Sequence, residues 1–106
     1  MKRPGFTYII THRARPRWIK IGATKDFNRR MGEYKSNLPP PMRDEWIELR
    51  VWTIGCPFAL ENLLHDYMRE TGYEASGEWY RVPSYGNWRL LNRLDAIVKK
   101  FKCRKP

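Results

Sequence analysis

No stretch of this sequence approaches the ~20 consecutive apolar residues needed to cross a bilayer, and the mean hydropathy is -0.74. A helical membrane protein is thereby excluded on composition, and no membrane partner is expected. Cysteine is scarce: Cys56 and Cys103 are the only two, in no CxxC or other metal-like spacing, and they read as free thiols in a reducing compartment. The opening MKRPGF runs directly into a strand-like segment, so no secretory leader is expected and a cytoplasmic location is the default. Internal repeats and dividing linkers are lacking too. The 106 residues therefore read as one domain, with a core over about 5–82, a C-terminal helix over 87–102 and a basic tail over 103–106.

Acidic residues are outnumbered, with 11 Asp and Glu against 21 Lys and Arg for a net charge of +10. The imbalance is uneven. Residues 1–36 carry ten basic and two acidic groups, residues 37–82 four and eight, and residues 83–106 seven and one. Two basic ends around an acidic middle suggest a polyanion footprint beside a carboxylate-bearing site. A solubilising surface would carry the same excess, but at this magnitude in so short a chain nucleic acid, contacted through its phosphates, is the expected partner. With five Trp, six Tyr and four Phe, a core needs no disulfide staples.

Phe6 to His12 is aromatic and β-branched, and Trp18 to Ala23 alternates; joined by the basic RARPR, they read as a hairpin. Asp26 suits the N-cap of a helix to about Ser36, with Phe27, Met31 and Tyr34 on one face. The segment NLPPPMRDE is a loop, because three consecutive prolines exclude helix and central strand. Trp46 to Ile54 is a third strand, expected to place Ile47, Leu49 and Val51 on one face. Pro57 suits the first turn of a helix to about Glu70. TGYEASGE is a loop and EWYRV a short extended piece. Asn87 to Lys102 is a last amphipathic helix with Trp88, Leu91, Leu94, Ile97 and Val98 inside. The order is ββαβα, a short strand, then α. The class is α+β, a small three-stranded antiparallel sheet flanked by helices.

Candidate site residues come from phase. At about 100° per residue, Arg30 falls at the edge of its helix's apolar face while Arg29 points to solvent. Glu61 and His65, four apart, share a face at the border of the Leu60–Leu64–Tyr67 stripe. That is a place for a metal ligand, and equally for a surface Glu–His pair. If the hairpin turns about Ala14, Tyr8 and Lys20 lie opposite each other, and the ammonium would lower the phenol's pKa. His12 at a strand end reaches phosphate or is simply solvated. Trp79 and Tyr80 stack on a base or are buried against the last helix. Arg13, Arg15, Arg17, Lys25, Arg29, Lys99, Lys100 and Lys102 are candidates for sequence-independent phosphate contacts, within the RARPR tip and the Lys99–Lys105 cluster among other places.

In order and spacing, these segments resemble the GIY-YIG nuclease superfamily. Gly5-Phe6-Thr7-Tyr8 stands where GIY does and Ile19-Lys20-Ile21-Gly22 where YIG does. Arg30 falls at the spacing of the family's catalytic arginine, and Glu61 in ALENLLH matches its metal-binding glutamate. Lys20 in place of the tyrosine of YIG, with Glu61–His65 and Gly77-Glu78-Trp79-Tyr80, is similar to the phage and fungal branch that reads KIG. The resemblance implies DNA phosphodiester hydrolysis at one divalent ion, Mg²⁺ or Mn²⁺, held by Glu61. It implies Tyr8 as general base, its pKa lowered by Lys20 and the metal, and Arg30 as transition-state stabiliser; His65 would orient a water or a phosphate oxygen. No reading head for bases is recognisable, so sequence specificity would come from a protein partner, a dimer or DNA shape. The alternatives on the same fold are a non-catalytic nucleic-acid-binding module and a phage-type protein-interaction factor.

Overall fold

The computed structural model describes residues 4–36, 45–83 and 88–103. Strand β1 (Gly5–His12) lies in the middle of an antiparallel trio, between β2 (Arg15–Thr24) and β3 (Trp46–Ile54). The expected three strands are thus present, and a hairpin of β4 (Ala75–Ser76) and β5 (Trp79–Arg81) extends them to the order β3-β1-β2-β5-β4. Gly77 turns that hairpin at φ 61°, a conformation natural to glycine. The connection before β2 is shorter than RARPR, because Arg15, Pro16 and Arg17 belong to the strand itself.

Alternation along β1 divides the core between two faces. Tyr8 and Ile10 turn to one side, where they meet Met31 of α1 (Phe27–Ser36) together with Phe27, Tyr34 and Trp46. Ile9, with Ile19 and Ile21 of β2, turns to the other. There it meets Leu60, Leu64 and Met68 of α2 (Pro57–Thr71) and Leu90, Leu91 and Leu94 of α3 (Trp88–Lys100). The architecture is α+β in three layers: α1, the sheet, then α2 with α3.

The helix ends follow local chemistry. Asp26 Oδ1 accepts the Arg29 N–H at 3.1 Å, the expected N-cap bond. Pro57 opens α2, and Gly72 closes it at φ 91° with its N–H bonded to the Arg69 carbonyl. Gly5 lets that helix start sit against β1: a Cβ there would fall 2.5 Å from Pro57 Cγ and 2.9 Å from the Thr24 carbonyl oxygen. Thr7 Oγ1 ties the same junction by donating to the Pro57 carbonyl at 2.8 Å.

Four sequence expectations are corrected. The β1–β3 register shifts between Ile9 and Ile10, so Leu49 joins Trp52 and Ile54 on the α2–α3 face while Val51 is 37% exposed. A β-bulge of this kind reverses the face of everything beyond it, which strict alternation cannot foresee. Trp88 is 72% exposed instead of inside, because the buried stripe of α3 begins at Leu90. The cysteines are not free: Cys56 and Cys103 form a disulfide with Cα atoms 5.8 Å apart. The chain leaves α3 at Phe101, whose N–H bonds back to the Ile97 and Val98 carbonyls, and returns to the start of α2. The fourth is the hairpin register, in which Lys20 lies opposite Ile10 and Tyr8 opposite Gly22. The proline-rich loop 37–44, the helix start at Asn87 and the tail beyond Cys103, with Lys105, lie outside the described residues.

Asp95 fastens α3 to the sheet. Its carboxylate accepts from Arg50 Nε at 3.0 and 3.2 Å and from Trp52 Nε1 at 3.2 Å. Among the described residues, no helix is long and apolar enough to cross a membrane.

Candidate active site

Tyr8 sits at the centre of β1 and is 1% exposed. Its ring meets Phe27 edge-on at 5.6 Å, and its hydroxyl shares a 2.7 Å hydrogen bond with that of Tyr34. Across the strand pair it faces Gly22, not Lys20. The hairpin shifts register between Thr11 and His12, which moves Lys20 opposite Ile10. Because the displacement is two residues, Lys20 stays on the Tyr8 face, diagonal to it. The vacancy of a side chain at position 22 is what lets the phenol lie flat there: a Cβ on Gly22 would come 2.5 Å from Tyr8 Oη and 2.6 Å from Cζ.

Lys20 Nζ donates to Glu78 Oε2 at 2.6 Å and hovers 5.6 Å and 5.7 Å from the Tyr34 and Trp79 rings. From α1, Arg30 and Tyr34 reach the same region one helical turn apart. Arg30 pairs with Glu33 at 3.4 Å, and its Nε is buried with no hydrogen-bond partner among the described residues. Arg29 pairs with Glu33 at 3.5 Å on the solvent side, as its helical phase implied. From α2 comes Glu61, whose side chain is 14% exposed.

Tyr8, Lys20, Arg30 and Glu61 line one open cleft of about 270 Å³, together with Tyr34, Phe58 and Glu78. The cleft opens beside Gly22 and Ala23, where β5 stops: its pairing with β2 covers only Trp18, Ile19 and Lys20. Two cations and two carboxylates therefore face each other over a buried phenol.

His65 stands behind the cleft. It is 6% exposed, with Nδ1 hydrogen-bonded to the Tyr80 hydroxyl and Nε2 3.6 Å from Glu61 Oε2. Both ring nitrogens are thus directed at protein groups, and the side chain braces Glu61 where the sequence suggested contact with water or phosphate. Burial, then the Tyr34 hydrogen bond, pushes the Tyr8 phenol well above its ordinary value; Arg30 opposes this. The direction is opposite to the lowering expected from Lys20. Burial also raises Glu61, as does the charge of Glu78, while His65 and Lys20 pull it down. Among the described residues, no three His, Cys, Asp or Glu side chains come together as a ready-made metal cage.

A family model described as the T5orf172 domain matches residues 5–102, a span that takes in every residue of the cleft. The chain belongs to the T5orf172 domain family. No curated protein and no solved structure matches it.

The other basic candidates of this T5orf172 domain distribute unequally. Arg13, Arg15, Arg17, Lys25 and Arg29 are exposed, with Lys25 and Phe58 also lining a hollow beside Pro57. Lys99, Lys100 and Lys102 are exposed at the far end of α3, and the cleft lining includes none of them. His12 is 5% exposed, edge-on to Trp46 at 5.0 Å, with Nδ1 accepting the Ala14 N–H. Trp79 and Tyr80 part company: Tyr80 is buried against α2 and α3, whereas Trp79 is half-buried on the α1 face. Sequence reasoning missed Glu78 as Lys20's partner and Tyr80 as His65's. The GEWY segment was visible, but its pairing with β2 is a long-range event that no local pattern encodes.

Proposed function

We propose that this T5orf172 domain hydrolyses DNA phosphodiester bonds with the aid of one divalent ion, as the GIY-YIG nucleases it resembles do. One observation carries the reading: Tyr8, Lys20, Arg30 and Glu61, far apart in sequence, line a single cleft. A generic basic surface would not gather a buried phenol, an arginine with unspent donors and a carboxylate raised by burial.

The donor set fits Mg²⁺ or Mn²⁺. Glu61 offers hard oxygen ligands, and its like-charge strain with Glu78 is relieved by a cation. Glu61 would be the ion's one protein carboxylate, and water and phosphate would have to supply the remaining ligands. When bound, the ion would neutralise charge on the scissile phosphate. Arg30 meets that phosphate with its planar donors, and Lys20 adds a point charge. His65, held by Tyr80, fixes the Glu61 carboxylate and so acts as a positioning residue.

Tyr8 is the candidate proton acceptor for the attacking water. In the unliganded cleft burial keeps it a neutral phenol, so it must first release its own proton to solvent, once positive charge has been brought beside it, before it can accept one from the water. Arg30 already acts in that direction, and the Tyr34 hydroxyl at 2.7 Å can donate to the phenolate. The exposed cations Arg13, Arg15, Arg17, Lys25 and Arg29 would hold flanking phosphates irrespective of sequence, with Lys99, Lys100 and Lys102 as a separate outlying patch.

The raised phenol and the Lys20–Glu78 ion pair favour one second reading, a nucleic-acid-binding module without turnover. Incubation of supercoiled and branched DNA with the protein in Mg²⁺ or Mn²⁺ separates the two. Hydrolysis requires nicking that Glu61→Ala, Tyr8→Phe and Arg30→Ala each abolish. Salt-sensitive binding with no cleavage in either metal would establish the second reading instead.

A further inference from the structure

Next to the cleft lies a second hollow, of about 110 Å³, lined by Arg15, Trp18, Ser76 and Trp79. Register explains its composition. Trp18 and Lys20 share a face of β2, Trp79 pairs opposite Lys20, and Ser76 opposite Trp79. Two indole rings, a guanidinium and a hydroxyl are therefore presented together, on the sheet face that also bears Tyr8. The hollow is well below the size of a cofactor site, roughly 300–1,000 Å³. It is on the scale of one planar ring system.

Two features tie it to the cleft. Trp79 forms its wall and also lies 5.7 Å from the Lys20 ammonium, which lines the cleft. The rings of Tyr34, Trp46 and Trp79 follow one another at 5.4 Å and 5.9 Å, a file of aromatic surface from one to the other. Arg15 lines the hollow, and Arg13 and Arg17 are exposed on the same β1–β2 hairpin, so that hairpin carries charge complementary to a phosphate chain.

We propose that this hollow seats a single unpaired nucleobase, next to the nucleotide whose phosphate occupies the cleft. The proposal rests on the phosphodiester reading of the cleft and adds a substrate class to it: single-stranded or branch-point nucleic acid in preference to continuous duplex. The physical reason is access. Bases within a duplex have both faces covered by their neighbours, whereas an unpaired base offers a face to tryptophan and arginine. Phosphate attraction alone discriminates little between strands; the hollow is where discrimination would arise.

The test is fluorescence anisotropy with the full chain at about 100 mM salt, using labelled single strands of roughly 12 nucleotides. DNA and RNA strands are compared with the same DNA as duplex, and a single abasic residue is moved through each strand. In the wild type, an abasic residue at one position should weaken binding about 10- to 100-fold. Trp18→Ala should weaken the intact strand by a similar factor, erase the abasic penalty and leave duplex binding within about twofold, while Trp79→Phe retains the penalty. A penalty seen with DNA, with RNA or with both assigns the source of the base. A flat abasic scan in both would overturn the proposal, and it needs no variant to fold. Equal weakening of single strand and duplex by Trp18→Ala would overturn it too. Glu61-dependent cleavage with a flat scan would leave the hydrolysis reading standing, and a clear penalty without cleavage would remove that reading alone.

Discussion

Two glycine-to-alanine substitutions should act in opposite directions, and the structure supplies both signs. At position 22, the added methyl would meet Tyr8 Oη, Cζ and Cε2 at 2.5, 2.6 and 2.9 Å. Tyr8 cannot yield cheaply, being 1% exposed and held by Phe27 and Tyr34. Overpacking of this kind costs about 1–3 kcal/mol, and loss of the Tyr8–Tyr34 hydrogen bond adds about 1 kcal/mol. For a domain of this size, about 2–4 kcal/mol corresponds to a melting point lowered by roughly 10–25 °C. Cleavage should fall with it, since the phenol is displaced from the cleft. At Gly32, inside α1, an added Cβ meets nothing within 4 Å. There alanine should stabilise by about 0.5–1 kcal/mol through reduced freedom of the unfolded chain. Thermal melts of the two variants beside wild type are the assay. A Gly22→Ala protein melting within about 2 °C of wild type would refute the seating of Tyr8 on that glycine.

Other consequences are accessible to the same methods. Replacing Cys56 and Cys103 together by serine opens a loop closed across 47 residues; guanidinium titration should show a loss of up to about 4 kcal/mol. Glu61 has a folded-state pKa raised above its unfolded value, so its ionisation lowers stability as pH rises through the interval between them. Glu61→Gln should accordingly melt higher than wild type near pH 7.5, with the gain gone at about pH 3, where the carboxyl is protonated in both states. Asp95→Ala strips acceptors from Arg50 and Trp52, and should cost about 1–2 kcal/mol in denaturant unfolding.

What the sequence disclosed was mostly local. The Asp26 cap, the phase of Arg29 against Arg30, the limits of β3 and the proline at the start of α2 each depend on neighbours within a turn or a strand, and the structure reproduces them. Both register shifts escaped notice because inserted residues leave no mark in an alternating pattern; one exposed Val51, the other carried Lys20 from beside Tyr8 to the diagonal. The Cys56–Cys103 bond and the His65–Tyr80 contact join segments that only the folded chain brings together. The gathering of Tyr8, Lys20, Arg30 and Glu61 was legible through motif spacing, but the burial that raises Tyr8 was not. Burial is a property of packed neighbours, here Phe27 and Tyr34 from α1.

The most direct test of the account is nicking of supercoiled DNA in Mg²⁺ by wild-type protein against Glu61→Gln, a substitution that keeps the shape of the side chain and removes its charge. The account predicts nicked circles with the wild type, none above background with Glu61→Gln, and a variant at least as stable at neutral pH. Equal nicking by the two proteins would contradict it.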